Sequence, residues 1–132
     1  MASSSPAPEA AVLAVFEACR RFAGSKAPPA SLLHCGDIQK GFPAGGKERA
    51  YAHVGHWPDG TVCVDLPRFA KLSVEHQVGV ILHELGHLAR PDGGEKEADL
   101  WVFEALGIPI EYRGPKTLQW VPRAVAGRIL LS

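Results

Sequence analysis

The sequence predicts an α+β fold, in which helices pack against a small, mostly antiparallel sheet. Three observations support this class: capped segments with helical spacing of apolar residues, two β-rich runs on either side of a Pro-Asp-Gly turn, and an H-E-x-x-H motif inside one helical segment. With 132 residues, the chain is expected to form one domain over residues 9–132, after a short disordered lead over residues 1–8.

Composition and charge argue against several classes of protein. The 14 basic and 14 acidic residues balance, which gives no electrostatic basis for binding nucleic acid or an anionic membrane. No stretch approaches the roughly 18 apolar residues that a membrane span needs. The N-terminus lacks the basic start and apolar core of a secretory signal. The three cysteines are widely spaced and odd in number, which favours a reducing compartment. We therefore expect a cytoplasmic protein.

The first half of the chain is predicted to contain one helix and a β-hairpin. Residues 8 to about 22 form a helical segment that a proline begins and a glycine follows, and its apolar residues share one face. Five glycines and prolines within residues 34–47 predict a loop. Strand-like runs at residues 49–57 and 61–66 flank the turn at residues 58–60, which predicts a hairpin.

The second half is predicted to be mostly helical. Ser73 is a favourable N-cap for a helix that must end near Arg90, because the Pro-Asp-Gly-Gly run that follows breaks a helix. Another helix is expected from about Glu95 to Leu106, where a glycine and a proline stop it. The remaining chain is expected to add a short strand near residues 108–112 and a final helix from about residue 122.

The helix that begins after Ser73 carries the H-E-x-x-H motif as His83, Glu84 and His87. Two histidines four residues apart on a helix point the same way, near enough for both imidazoles to bind one ion. The glutamate between them can hold and deprotonate a metal-bound water. Both histidines lie opposite the apolar arc of their helix, and Gly86 leaves room for another element nearby. The alternative is a pair of surface histidines on an amphipathic helix.

A catalytic zinc site needs three protein ligands and an open fourth position, and the following helix offers the third ligand. Glu95 and Asp99 share one face of that helix, whereas Glu97 points away. The shared face is otherwise apolar, with Ala98, Val102, Phe103 and Leu106. Burying carboxylates without partners is unfavourable, and a metal ion at Glu95, with Asp99 accepting the free ring N–H of a ligand histidine, removes that penalty.

These residues therefore predict one zinc ion bound by His83, His87 and Glu95, with Asp99 supporting a histidine. The alternative interpretation of the acidic pair is a solvated helix start, at which carboxylates interact favourably with the helix dipole.

This combination of residues resembles the gluzincin metallopeptidases, whose third zinc ligand is a glutamate on a following helix. The H-E-x-x-H motif at residues 83–87 and the E-x-E-A-D motif at residues 95–99 are most similar to small bacterial and phage members: the ImmA/IrrE type, the minigluzincins and the catalytic helices of the HtpX type. The resemblance covers roughly residues 60–106. It implies a zincin-like fold, in which Glu84 is the general base and then the proton shuttle, and a peptide or protein substrate.

Gluzincins also use a side-chain donor for the developing oxyanion, and no motif identifies it here. The candidates for this transition-state stabiliser are Tyr51, His53, His56, Arg90 and Tyr112. One strand at a sheet edge is expected to lie above the metal and to receive an extended peptide by strand addition.

Two other functions remain open. A regulatory or interaction module could bind zinc without turnover, although Glu84 would then have no use beside an open position. A deformylase-like amide hydrolase would take its third ligand from an upstream cysteine, for which Cys63 is the candidate, but the flanking residues do not match that family. A metzincin site is excluded, because Arg90 and Gly93 stand where that motif needs glycine and histidine.

Overall fold

The computed structural model describes residues 8–34, 51–54, 60–114 and 117–132. Over these residues the protein is α+β and mostly helical. The helices are α1 (Pro8–Ala23), α2 (Leu66–Phe69), α3 (Val74–Ala89), α4 (Glu95–Leu106) and α5 (Arg123–Leu130). The strands are β1 (Ser31–His34), β2 (Ala52–His53), β3 (Thr61–Val64), β4 (Glu111–Arg113) and β5 (Leu118–Trp120). In these parts of the chain, no helix combines the length and apolar character needed to cross a membrane.

The three longest helices begin and end close to their predicted limits. α3 begins after Ser73, whose hydroxyl accepts the His76 backbone N–H at 3.2 Å. α4 ends at Gly107, which adopts the left-handed conformation (φ 75°) that favours glycine after a helix. α1 begins at Pro8, so the rest of the predicted N-terminal lead lies outside the described residues. Local caps and periodicity are sufficient to predict these elements.

The three-stranded sheet is mixed, because it includes a parallel strand pair that the sequence does not predict. β3 lies in the centre, antiparallel to β2 and parallel to β1. The β2–β3 pair is the predicted hairpin, although residues 55–59 of its turn lie outside the described residues. β1 begins two residues after the Pro28-Pro29 pair, in a stretch predicted to be irregular. Its pairing with β3 is a long-range contact that no local pattern reveals.

The second sheet is an antiparallel hairpin of β4 and β5, and it packs against α3. The strand predicted near residues 108–112 is β4, whereas β5 was not predicted. A Cβ atom at Gly79 would lie 2.7 Å from the backbone nitrogen of Trp120, closer than real Cβ contacts. The Val121 N–H donates to the Glu75 carbonyl at 3.3 Å. The glycine therefore allows β5 to lie directly on the backbone of α3.

α3 is the central element of the described structure and is buried on all sides from His76 to Gly86. The core that surrounds it includes buried apolar side chains from four other elements: Phe16, Val62, Val102 and Ile129. The face of α3 that carries His83 and His87 lies opposite its apolar arc. This histidine face is covered by α4 and by the β4–β5 hairpin. Burying apolar surface at about 25 cal/mol per Å² makes this packing the main source of the helix's stability.

Candidate metal centre

The candidate site lies where α3 and α4 cross at Gly86. A Cβ atom at Gly86 would lie 2.9 Å from both the Cα and the carbonyl carbon of Ala98, and nearer still to its carbonyl oxygen. Those distances lie well inside the optimal separation of about 3.5 Å between non-bonded carbons. Glycine therefore lets the backbone of α4 rest on α3. As a result, the first turn of α4 lies alongside the turns of α3 that carry His83 and His87.

His83, His87 and Glu95 meet at this crossing. The Nε2 atom of His83 lies 2.8 Å from one carboxylate oxygen of Glu95, and the Nε2 atom of His87 lies 3.1 Å from the other. One ligand atom from each residue lies within 4.8 Å of the other two, and no other group of three such residues occurs in the described parts of the chain. Two imidazole nitrogens and a carboxylate oxygen are donors that suit zinc and other divalent transition metals.

Asp99 determines which nitrogen of His83 is available to bind a metal ion. Its Oδ1 atom lies 2.6 Å from His83 Nδ1, and because a carboxylate only accepts, Nδ1 carries the proton. The opposite nitrogen, Nε2, then faces the Glu95 carboxylate at 2.8 Å. Two acceptors this close repel each other unless a cation lies between them, and either a proton or a metal ion meets that need. The donor set therefore fits a divalent metal ion.

The charges around His83 also favour a cation. His83 is only 1% exposed, and burial lowers its pKa, but the hydrogen bond to Asp99 and the charges of Glu84, Asp99 and Glu95 outweigh that effect and raise the pKa overall. Burial raises the pKa of Glu84 to about 8, with His83 acting against the shift and Glu95 adding to it. Three carboxyl groups thus surround one buried imidazole, and their interactions with it favour its cationic form.

The helical projection of α4 is wrong in two respects. It places Glu95 and Phe103 on the packed face, yet the Glu95 side chain is 72% exposed and Phe103 is 54% exposed. α4 packs instead through three buried residues, Ala98, Trp101 and Val102. Glu95 is exposed because it is the first residue of the helix, where no preceding turn covers it. Its carboxylate nevertheless reaches both histidines.

Glu97 lies away from the histidines, as the projection predicts. Its carboxylate pairs with the Arg90 guanidinium at 3.2 Å, and Arg90 also pairs with Glu104 at 2.5 Å. Arg90 was a candidate donor for the oxyanion, but its guanidinium is engaged by these two acids rather than by the histidine–glutamate triad. Asp99 and Glu97, two residues apart, therefore belong to different surfaces of α4.

Tyr112 is the one other oxyanion candidate that the described residues bring to the site, and it arrives through Asp99. Its hydroxyl donates to Asp99 Oδ2, while the other oxygen of Asp99 holds His83. No local signal reveals this contact, because Tyr112 and Asp99 are 13 residues apart. The side chain of His53 and the whole of His56 lie outside the described residues.

Three other residues with polar or metal-binding side chains, His76, Tyr51 and Cys63, lie apart from the triad. His76 shares the histidine face of α3, but its ring contacts the Ser73 hydroxyl and the Arg113 carbonyl. Tyr51 stacks beneath the Arg68 guanidinium, 4.3 Å from the ring centre. Cys63 is fully buried in β3 and is not a member of the triad. The third donor at the crossing is thus Glu95, not the cysteine that a deformylase-like site would use.

Comparisons with known proteins give no relative from which a function could be transferred: no protein-family model, no curated protein and no solved structure matches the chain.

Proposed function

We propose that the protein is a zinc-dependent metallopeptidase with a zincin-like fold, in which His83, His87 and Glu95 bind one zinc ion. The observation that supports this proposal most strongly is the convergence of two imidazole nitrogens on the two oxygens of one carboxylate, at 2.8 and 3.1 Å. Three protein ligands leave one position open, which is the arrangement of catalytic rather than structural zinc sites.

A bound zinc ion would supply Lewis-acid polarisation of the scissile carbonyl and would lower the pKa of a coordinated water to about 7. Asp99 contributes by holding the proton of His83 on Nδ1, which keeps the lone pair of Nε2 directed at the ion. The Glu95 carboxylate supplies negative charge from the exposed side of the crossing.

Glu84 is the proposed general base. It lies between the two ligand histidines in sequence, is only 7% exposed, and interacts electrostatically with His83 and Glu95. A carboxylate in this position takes a proton from the attacking water and then delivers it to the nitrogen of the leaving amine. A purely structural metal site would gain nothing from this residue.

The proposal is tested by measuring zinc content and hydrolysis for the wild type and for Glu84→Gln. Casein and a library of fluorescence-quenched peptides serve as probes. The wild type is expected to bind one zinc ion and cleave a probe, and Glu84→Gln to keep the zinc and lose about 10²- to 10⁴-fold in rate. Zinc binding without cleavage of any probe would support the non-catalytic module instead. A wild type that binds no zinc would contradict the proposal outright.

The ligand assignment has a matched control on the same helix. Glu95→Ala removes the carboxylate that meets both histidines, and we expect zinc affinity to fall by a factor of at least about one hundred. Glu97→Ala removes a carboxylate two residues away that pairs with Arg90, so zinc affinity should stay within about twofold of the wild type, as expected for an exposed ion pair. The reverse order of effects would show that the third ligand is misassigned.

A further inference from the structure

We propose that Tyr112 is a positioning residue of the metal site, because its hydroxyl holds Asp99 in the orientation that fixes His83. This inference rests on the proposed function only in so far as the triad binds a metal ion. It assigns Tyr112 a role different from that of an oxyanion donor.

The two oxygens of Asp99 have different partners. Oδ1 accepts from His83 Nδ1 at 2.6 Å, and Oδ2 accepts from the Tyr112 hydroxyl. A carboxylate held at both oxygens cannot rotate away from the imidazole without breaking a hydrogen bond. Tyr112 therefore restricts the orientation of His83 through Asp99, although it does not itself contact the histidine.

The strand that carries Tyr112 is anchored to the helix that carries His83. The carbonyl of Arg113, the next residue in β4, accepts from His76 Nε2 at 3.2 Å. The other ring nitrogen of His76 accepts from the Ser73 hydroxyl at 2.8 Å, which fixes the tautomer. β5 lies against α3 at Gly79, between His76 and His83. These contacts thus fix the position of the phenol relative to the histidines of α3.

The Tyr112 hydroxyl is also committed to this contact. A phenol has a single proton to donate, and Tyr112 donates it to Asp99, on the Nδ1 side of His83. The nitrogen that faces the triad is Nε2, on the opposite side of the ring. To donate to an oxyanion at the metal, Tyr112 would have to abandon Asp99.

The size of the expected effect follows from the position of Tyr112 behind the ligands. Removing a group that orients a metal-ligating histidine typically lowers metal affinity by 10- to 100-fold. Asp99 hydrogen-bonds to His83 directly, whereas Tyr112 reaches His83 only through Asp99. We therefore expect Tyr112→Phe to lower zinc affinity by about tenfold, and Asp99→Ala to lower it by more.

The test is a double-mutant cycle on zinc affinity, measured by competition with a chromophoric chelator. The variants are Tyr112→Phe, Asp99→Ala and the double variant. Tyr51→Phe is the matched control, because it removes the same hydroxyl from the chain's other tyrosine, which lies beside Arg68. Tyr112→Phe should lose about tenfold in affinity in the wild-type background and nothing further in the Asp99→Ala background. Tyr51→Phe should match the wild type.

A second measurement separates positioning from a general effect on folding. The visible absorption of bound Co²⁺ reports ligand geometry, so Tyr112→Phe should alter the cobalt spectrum, whereas Tyr51→Phe should not. If Asp99→Ala does not fold, Asp99→Leu takes its place in the cycle, since leucine has a similar shape and offers no hydrogen-bond acceptor.

Three results would overturn the inference. Zinc affinity of Tyr112→Phe within about twofold of the wild type would show that the hydroxyl does not support the site. Equal losses in both backgrounds would show that it acts independently of Asp99. Unchanged affinity with abolished cleavage would make Tyr112 a transition-state donor. A wild type that binds neither zinc nor cobalt would instead contradict the proposed function, so the two failures are distinguishable.

Discussion

The close approach of α4 to α3 at Gly86 predicts that a single added methyl group will disable the proposed metal site. In Gly86→Ala the new Cβ would lie 2.9 Å from two backbone atoms of Ala98, and closer to its carbonyl oxygen. These are backbone atoms of a helix, so no side-chain rotation can relieve the overlap. α4 must therefore move away from α3, and the Glu95 carboxylate moves with it.

Two opposing terms set the effect on stability. Relieving a clash in a packed interior typically costs about 1–3 kcal/mol, whereas replacing glycine by alanine within a helix gains about 1 kcal/mol. The free energy of unfolding of the metal-free protein should therefore fall by roughly 0–2 kcal/mol. Metal sites tolerate only about 0.2 Å of error in ligand distance. Moving α4 until the new Cβ lies about 3.5 Å from the Ala98 backbone shifts the helix that carries Glu95 by more than that tolerance. We expect zinc affinity to fall by at least about tenfold.

The assay pairs zinc affinity, measured by chelator competition, with urea denaturation of the metal-free protein. Gly127→Ala is the matched control, because Gly127 lies within α5 and a Cβ there would meet nothing within 4 Å. The control should gain about 0.5–1 kcal/mol in unfolding free energy and leave zinc affinity unchanged. If Gly86→Ala behaved like Gly127→Ala in both measurements, the inference that contact at this crossing sets the ligand geometry would be wrong.

Three further predictions concern packing and reactivity. Val102→Ala empties part of the α4 contact with the core and should lower the unfolding free energy by about 2 kcal/mol, measured by urea denaturation. Phe103→Ala should change it by less than about 0.5 kcal/mol, because this side chain is largely exposed; a loss as large as that of Val102→Ala would show that the phenylalanine is packed. Complete burial raises the pKa of the Cys19 thiol, so at pH 8 a thiol reagent should label Cys19 only after the protein unfolds. Labelling is measured by mass spectrometry, and prompt labelling of Cys19 in the folded protein would refute this prediction.

The parts of the site that lie on one helix could be predicted from the sequence. A helix repeats every 3.6 residues, so the spacing of His83 and His87 determines that both rings lie on one side of α3. The same rule separates Glu95 from Glu97 on α4, and the structure has the two carboxylates on different surfaces. The Ser73 cap locates the start of α3 because capping depends only on neighbouring residues.

The degree of burial could not be predicted in the same way. A helical projection assigns one buried face to each helix. In the structure α3 is covered by other elements on all sides, whereas α4 is covered on only part of its surface. Phe103 is therefore exposed despite its place beside Asp99, and His83 is buried despite lying opposite the apolar arc. Which face is covered depends on where other elements lie, and periodicity contains no information about that.

The sequence by itself determined the four longer helices and the predicted hairpin, because caps, periodicity and turns depend on residues within a few positions of each other. It also put two histidines on one helix and a glutamate at the start of the next. Only the tertiary structure decided how closely α4 approaches Gly86, that Arg90 pairs with acids of α4, that β1 lies parallel to β3, and that Tyr112 holds Asp99. These contacts join different secondary-structure elements, and their geometry results from the packing of the whole core.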